Sequence, residues 1–140
     1  MALQQAAYAR NRALLGVEPL PLRWDYAFVL AHSEVWVRDA ERDASPTSNV
    51  FDAALIMTPE DDGLLIDSLA VHPNAQGRRI GTALLDAAVE RARALGRSQL
   101  TLYTGAPLVH LIAWYERHGF NAVSTELLDD RTIVHMCRDV

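Results

Sequence analysis

Cysteine is nearly absent from this chain of 140 residues; Cys137 stands alone. It cannot close an internal disulfide, so the cysteine pattern gives no sign of secretion. With no activating partner beside it, it reads as a small core or edge residue. A basic excess is lacking as well. Eighteen acidic residues outnumber thirteen basic ones, for a net charge of -5 and a pI near 5.4. Proteins that grip DNA or RNA are usually basic, so nucleic acid is not expected as a general partner. Metal-ligand spacing is missing too: His32, His72, His110, His118 and His135 are scattered, with no His-x-x-x-His and no cysteine pair, and no metal is expected. The stretch Met1 to Leu15 sets Arg10 and Arg12 among alanines and lacks the apolar run of a signal peptide. The longest run free of Asp, Glu, Lys and Arg, Ser98 to Tyr115, is long enough to raise the membrane question. Thr101, Thr104 and His110 interrupt it, and Gly105-Ala106-Pro107 splits it, so it reads as a strand and a helix of a soluble core. The expectation is a cytoplasmic protein with no membrane partner. No repeat, low-complexity tract or linker divides the chain, and residues 1–140 read as a single domain.

What is present is a regular alternation of patterns. Half of the residues are hydrophobic, enough for a core. Ala2 to Leu15 is rich in helix formers, and Gly16 would end it. Glu18-Pro19-Leu20-Pro21 reads as a connector. Trp24 to Ala31 fits either a short strand or a helical turn. Ser33 to Asp39 alternates, with Val35 and Val37 opposite Glu34, Trp36 and Arg38, which is strand periodicity. Ala40 to Asn49 is a polar loop, and Val50 to Met57 resumes as strand. Thr58 to Gly63 is a turn with Asp62-Gly63 as its signal. Leu64 to Val71 is a third, buried strand, making an antiparallel meander. Arg78 to Leu95 is a helix with Asp86, Glu90, Arg93 and Arg97 on one stripe and Ile80, Leu84, Ala87 and Ala88 on another. Ser98 to Tyr103 is a strand; strand, helix and strand in succession imply a parallel crossover. Leu108 to Arg117 is a helix that Pro107 opens and His118-Gly119 closes. Phe120 to Leu127 and Thr132 to Cys137 are the last two strands, joined around Asp129-Asp130-Arg131.

The stretch from Val71 through Gln76-Gly77-Arg78-Arg79-Ile80-Gly81-Thr82 stands out chemically. It is a buried strand, a small basic loop and a helix start. The first turn of a helix presents N–H groups without intrahelical partners, which suits an anion. Gly77 and Gly81 allow a phosphate close approach, and Arg78 and Arg79 add charge. The Gly-Lys-Ser/Thr of a P-loop and a full Gly-x-Gly-x-x-Gly are both missing. The reading from the residues alone is a cradle for the pyrophosphate of a nucleotide-containing cofactor, against an ordinary strand–helix turn with two solvated arginines.

Two segments together resemble the GNAT superfamily of acetyl-CoA-dependent N-acyltransferases. One is Leu69-Ala70-Val71-His72-Pro73 with Gln76 to Leu85, similar to the family's Gln/Arg-x-x-Gly-x-Gly/Ala at a strand–loop–helix junction. The other is Trp114-Tyr115-Glu116-Arg117-His118-Gly119-Phe120, similar to its Tyr-x-x-x-Gly-Phe helix ending. The resemblance covers roughly residues 33 to 140; residues 1–31 carry little of it. Two positions depart from the pattern. Arg79 replaces the motif's first Gly, where an L-residue at a helix start is expected to sit without strain. The Asn that many members place before the Tyr helix has no counterpart, since Leu108 and Leu111 hold those positions.

The resemblance implies an α+β fold: one mixed, mostly antiparallel sheet with a central, splayed parallel pair and helices on both faces. It implies acetyl-CoA as acyl donor and an amine of a small molecule, peptide or protein as acceptor. Leu69, Ala70 and Val71 would pair with the pantetheine arm like a substitute strand. Gln76, Gly77, Arg78, Arg79, Ile80, Gly81 and Thr82 would hold the pyrophosphate. Tyr115 would be the general acid for the departing thiolate; its alternative is a core aromatic. Asp67, a carboxylate in an apolar strand, is a candidate base or amine ligand; its alternative is structural hydrogen bonding. Glu34 is a second carboxylate on a strand, and a water chain can replace either. His72, before Pro73 at the strand end, lies near the proposed cleft, with a structural role as the default; Trp36 is a candidate for a substrate pocket or a subunit contact, with core packing as the default. A homodimer is compatible with the edge strands. A non-catalytic acyl-CoA-binding module on the same fold is the competing reading, which the missing Asn and the altered Gly keep open.

Overall fold

The computed structural model describes residues 2–16, 25, 27, 33–39 and 51–140. The Glu18 to Pro21 connector, Trp24 with most of its ambiguous segment, and the loop of residues 40–49 lie outside them. The described elements are α1 (Ala2–Leu15), β1 (Glu34–Asp39), β2 (Phe51–Pro59), β3 (Gly63–Val71), a 3-10 turn (Pro73–Ala75), α2 (Ile80–Ala94), β4 (Gln99–Gly105), α3 (Val109–Arg117), β5 (Asn121–Leu127) and β6 (Thr132–Asp139).

The strands form one sheet in the order β1-β2-β3-β4-β6-β5. All neighbours run antiparallel except the central pair, β3 and β4. That parallel pair follows from its connection: α2 crosses over between its two strands, as the strand–helix–strand pattern requires. The expected mixed sheet with a central parallel pair is therefore present. Most strands run longer than their alternation suggested. Thr58 and Pro59 still pair with Leu65 and Leu64, so the β2–β3 turn shrinks to Asp61 and Asp62, closed by Glu60 N–H to Gly63 O at 2.8 Å.

The main core lies beneath α2 and α3. Leu55, Met57, Leu64, Ile66, Leu100, Leu102 and Met136 of the sheet meet Leu85, Ala88, Val89 and Ala92 of α2 and Tyr115 of α3. The buried face of α2 is thus turned slightly from the one its periodicity suggested, with Leu84 and Ala87 only half-buried. Gly96 ends α2 with φ 68°, and Arg97 N–H closes onto Ala92 O at 2.8 Å, the left-handed terminus that glycine favours. The opposite face of the sheet receives α1, where Gln4 and Tyr8 reach Ser68. At one sheet edge, β5 is exposed along its whole length.

One irregularity positions everything that follows. Ile56 pairs with Ser68, but the next residue, Met57, pairs with Ile66, so Asp67 is an extra, unpaired residue in β3. Such a bulge bends its strand and reverses the alternation. Leu64 and Ile66 face α2 before it, and Leu69 packs on the same core after it. The parallel pairing of β3 with β4 also ends here, at Ile66 and Leu102. Beyond that point the two strands part.

Candidate functional site

The opening between the parted strands is a cleft of about 890 Å³, a size suited to a cofactor-sized ligand. Its walls bring together the predicted residues Asp67, Leu69, Ala70, Val71, Gln76, Gly77, Arg79, Ile80, Gly81, Thr82 and Tyr115. Of the loop residues, Arg78 does not line it.

One end of the cleft is the phosphate-type loop. Gln76 Nε2 donates to Val71 O at 3.1 Å and staples the loop to the end of β3. Gly77 adopts φ 83° with open space around its α-carbon. Arg79 adopts φ 59° and ψ 23° and caps α2. That corrects the expectation of an unstrained L-residue here. The left-handed region is disfavoured by the Cβ of every L-residue, at about 1–2 kcal/mol. The chain turns into α2 through a backbone shape that glycine would hold more cheaply, and such strain gathers at functional sites. Arg79 O accepts the first helical bond, from Ala83 N–H at 3.1 Å, so the N–H groups of Ile80, Gly81 and Thr82 have no partner within the helix. Ile80 packs its side chain in a small apolar cluster with Ala53 and Ala75. Gly81 has a packing reason: a Cβ there would come within 3.2 Å of the Trp114 ring. Thr82 meets His118 Nε2 at 3.1 Å, while His118 Nδ1 bonds to the Trp114 carbonyl at 2.7 Å. A carbonyl only accepts, so Nδ1 carries the proton, and in the neutral ring Nε2 accepts from the Thr82 hydroxyl.

The Tyr115 end is chemically different. Tyr115 is buried and packs edge-on against both Trp114 and Phe120. Burial drives its phenol well above the ordinary value of 10, and a nearby tyrosine, Tyr8, adds to the rise. Asp67, at the bulge, is half-buried. Desolvation raises its pKa, a hydrogen bond from Thr58 opposes the rise, and the charge of Glu60 adds to it. Thr58 Oγ1 donates to Asp67 Oδ2 at 2.6 Å. Ser33 in turn lies 2.9 Å from Thr58, and since the Thr58 proton is already given, Ser33 is the donor. Burial raises the pKa of Tyr103, on β4, and the Asp67 charge adds to the rise.

The other considered residues are elsewhere. Glu34 pairs with Arg91 of α2 through two hydrogen bonds of 2.9 and 2.7 Å, which hold its carboxyl below the usual range; it pins β1 to α2. His72 caps the 3-10 turn by accepting from Asn74 N–H at 3.1 Å. Trp36 is 38% exposed on β1. Tyr8, Tyr103, Ser68 and Thr58 are the site residues that pattern reading missed. Gln4 and Tyr8, one turn apart on a helix otherwise full of alanine, were the available signal.

The residues fit a phosphate-bearing cosubstrate. On a chain of net charge -5, the described residues of the cleft wall include Arg10, Arg79, Arg117 and Arg131, the last paired with Asp130, and one carboxylate, Asp67. No group of three or more metal-ligating side chains occurs among the described residues. No described helix is long and apolar enough to cross a membrane.

The profile of the Acetyltransferase (GNAT) family matches residues 5–120. The chain belongs to the GNAT acetyltransferase family. It is 30% identical over 92 residues, 66% of this chain and 24% of the other, to a mycothiol acetyltransferase of Propionibacterium freudenreichii subsp. shermanii. The chain spans about a quarter of the length of the curated relatives it matches. Among solved structures, a GNAT acetyltransferase from Elizabethkingia anophelis with acetyl-CoA bound superposes with a TM-score of 0.67 at 14% identity, covering 82% of this chain and 81% of the other. The ribosomal-protein-S18-alanine N-acetyltransferase of Escherichia coli gives 0.65 at 21% identity, covering 83% and 77%. At those identities the likeness is one of GNAT fold.

Proposed function

We propose that this GNAT domain is an N-acetyltransferase that uses acetyl-CoA to acetylate an amine of a small molecule, peptide or protein by direct attack on the thioester. One observation carries the reading. A single cleft joins a helix-start anion loop to a buried tyrosine across strands that have stopped pairing with each other. Bound acetyl-CoA supplies an acetyl group already activated as a thioester. The N–H groups of Gly77 to Thr82 hold the pyrophosphate at the positive end of α2. Beyond Ile66, where β3 no longer pairs with β4, the backbone of Leu69, Ala70 and Val71 takes the arm as a sheet takes a strand, and an N–H there stabilises developing negative charge.

Tyr115 keeps its proton at every physiological pH, because burial penalises the phenolate. The same burial penalises a thiolate beside it, so handing the phenol proton to the leaving sulfur relieves one buried anion as it forms another. Asp67, raised by desolvation, is a stronger base than an ordinary aspartate and accepts the proton that the attacking amine must lose. The hydroxyl of Thr58 fixes its orientation. Cytoplasmic residence accords with this reading.

The test is thiol release from acetyl-CoA across an amine panel. Wild type should turn over at least one amine. Tyr115→Phe should lower kcat roughly 10²-fold or more, the usual scale of general acid catalysis, with little change in acetyl-CoA affinity. Acetyl-CoA binding with no thiol release for any amine would favour a non-catalytic acyl-CoA-binding module instead.

A further inference from the structure

Tyr8 has no part in the mechanism above, yet its position is tightly fixed. Ser68 donates its hydroxyl proton to Gln4 Oε1 at 3.4 Å. The 2.8 Å contact between Tyr8 and Ser68 must therefore use the tyrosine proton. The ring is tied to β3, and through Ser68 back to its own helix one turn earlier. Ser68 directly precedes Leu69, the first of the backbone groups assigned to the cosubstrate arm. Tyr8, on the face that receives α1, and Tyr115, packed under α2 on the other, both line the cleft where β3 and β4 have parted.

The closed end of that gap is Ile66 and Leu102, the last paired residues, each 3% exposed. An arm that enters at the α2 loop and follows Val71, Ala70 and Leu69 brings its acyl group to this end. There it meets the Ile66 and Leu102 side chains and the anchored Tyr8 ring. The first two belong to a packed sheet, and the third cannot swing away without giving up its hydrogen bond to Ser68. We propose that Tyr8 sets the length of the acyl group that the cleft accepts, closing it behind a two-carbon chain. Each added methylene must displace packed atoms, and overpacking of that kind is costly. The inference rests on the acetyl-CoA reading above.

The test is binding without any acceptor amine, by calorimetry of the whole chain with CoA, acetyl-CoA and butyryl-CoA. Wild type should bind butyryl-CoA at least tenfold more weakly than acetyl-CoA. In Tyr8→Ala that ratio should fall to threefold or less. Circular dichroism checks the fold of the variant; if Tyr8→Ala does not fold, Tyr8→Leu is read by the same ratio. Equal affinities in wild type, or an unchanged ratio in a folded variant, would overturn the role of Tyr8 while leaving acetyl-CoA binding in place. Failure of all three ligands to bind would remove the acetyl-CoA reading and this inference together.

Discussion

Arg79 holds a backbone shape that Gly77, in the same loop, holds at no steric cost. The Arg79→Gly substitution removes the Cβ clash but loosens the unfolded chain, and these effects oppose each other at about 1 kcal/mol each. The melting temperature should hold or rise by a few degrees. Acetyl-CoA affinity should stay within a few-fold, because backbone donors do most of the holding. A tenfold loss, about 1.4 kcal/mol, would show that the Arg79 side chain is itself a ligand. The Arg79→Val substitution gives the opposite contrast: a β-branched residue tolerates this region poorly, and both the melting temperature and acetyl-CoA affinity should drop. The Asp67→Asn substitution separates stability from activity. Folding raises the Asp67 pKa, so its favourable contribution is complete below the ordinary aspartate value of 3.8 and is lost as pH rises through the higher folded value. At neutral pH the ionised group therefore weakens the fold. The neutral amide should melt no lower than wild type at pH 7, while thiol release falls if Asp67 takes the amine proton.

At the scale of elements, the ion pair between β1 and α2 behaves in the reverse sense. The Arg91 guanidinium holds Glu34 below its ordinary 4.5. Its contribution is present above pH 4.5 and is lost as pH falls through the lower folded value. The Glu34→Gln variant should therefore melt closer to wild type at pH 3 than at pH 7, measured by thermal unfolding at both. The elements themselves were largely legible in the sequence. In β4 the alternation is regular: Leu100, Leu102 and Thr104 are buried, and Thr101 and Tyr103 between them are half-buried. The bulge at Asp67 was not legible. Its signature, a reversal of alternation, coincides with the run Leu64 to Val71, apolar nearly throughout because both of its faces are covered. A similar ambiguity hid the site residues of α1. A short helix with few charged positions gives little sign of which side meets a sheet, and Tyr8 gains its meaning from Ser68, sixty residues away in the chain. Tyr115 and the α2 loop were legible because their chemistry is local: a helix start, two glycines and a spaced Tyr-x-x-x-Gly-Phe.

For the whole molecule, the basic residues have a collective property. Every one of the thirteen is arginine. An arginine stays charged at any working pH and is not acetylated as a lysine amine would be. Incubation with acetyl-CoA should therefore leave no acetyl-lysine on the protein itself, by peptide mass spectrometry, and any such signal in a mixed reaction belongs to the acceptor.

The missing partner of β3 beyond Ile66 has a kinetic consequence. Backbone amides in a sheet centre are normally among the slowest in a protein to exchange their hydrogens, because exchange there waits on extensive unfolding. In this molecule the central pair is open beyond Ile66, so amides of residues 67–71 that aim at β4 and have no other partner should exchange within the range of exposed loops. Their neighbours in β2 and at the closed end should exchange orders of magnitude more slowly. Acetyl-CoA at a hundredfold over its Kd should slow those few amides by up to about 2.7 kcal/mol of protection and change the rest of the sheet much less. The protection pattern would thus trace the arm residue by residue along β3, without a crystal and without knowledge of the acceptor.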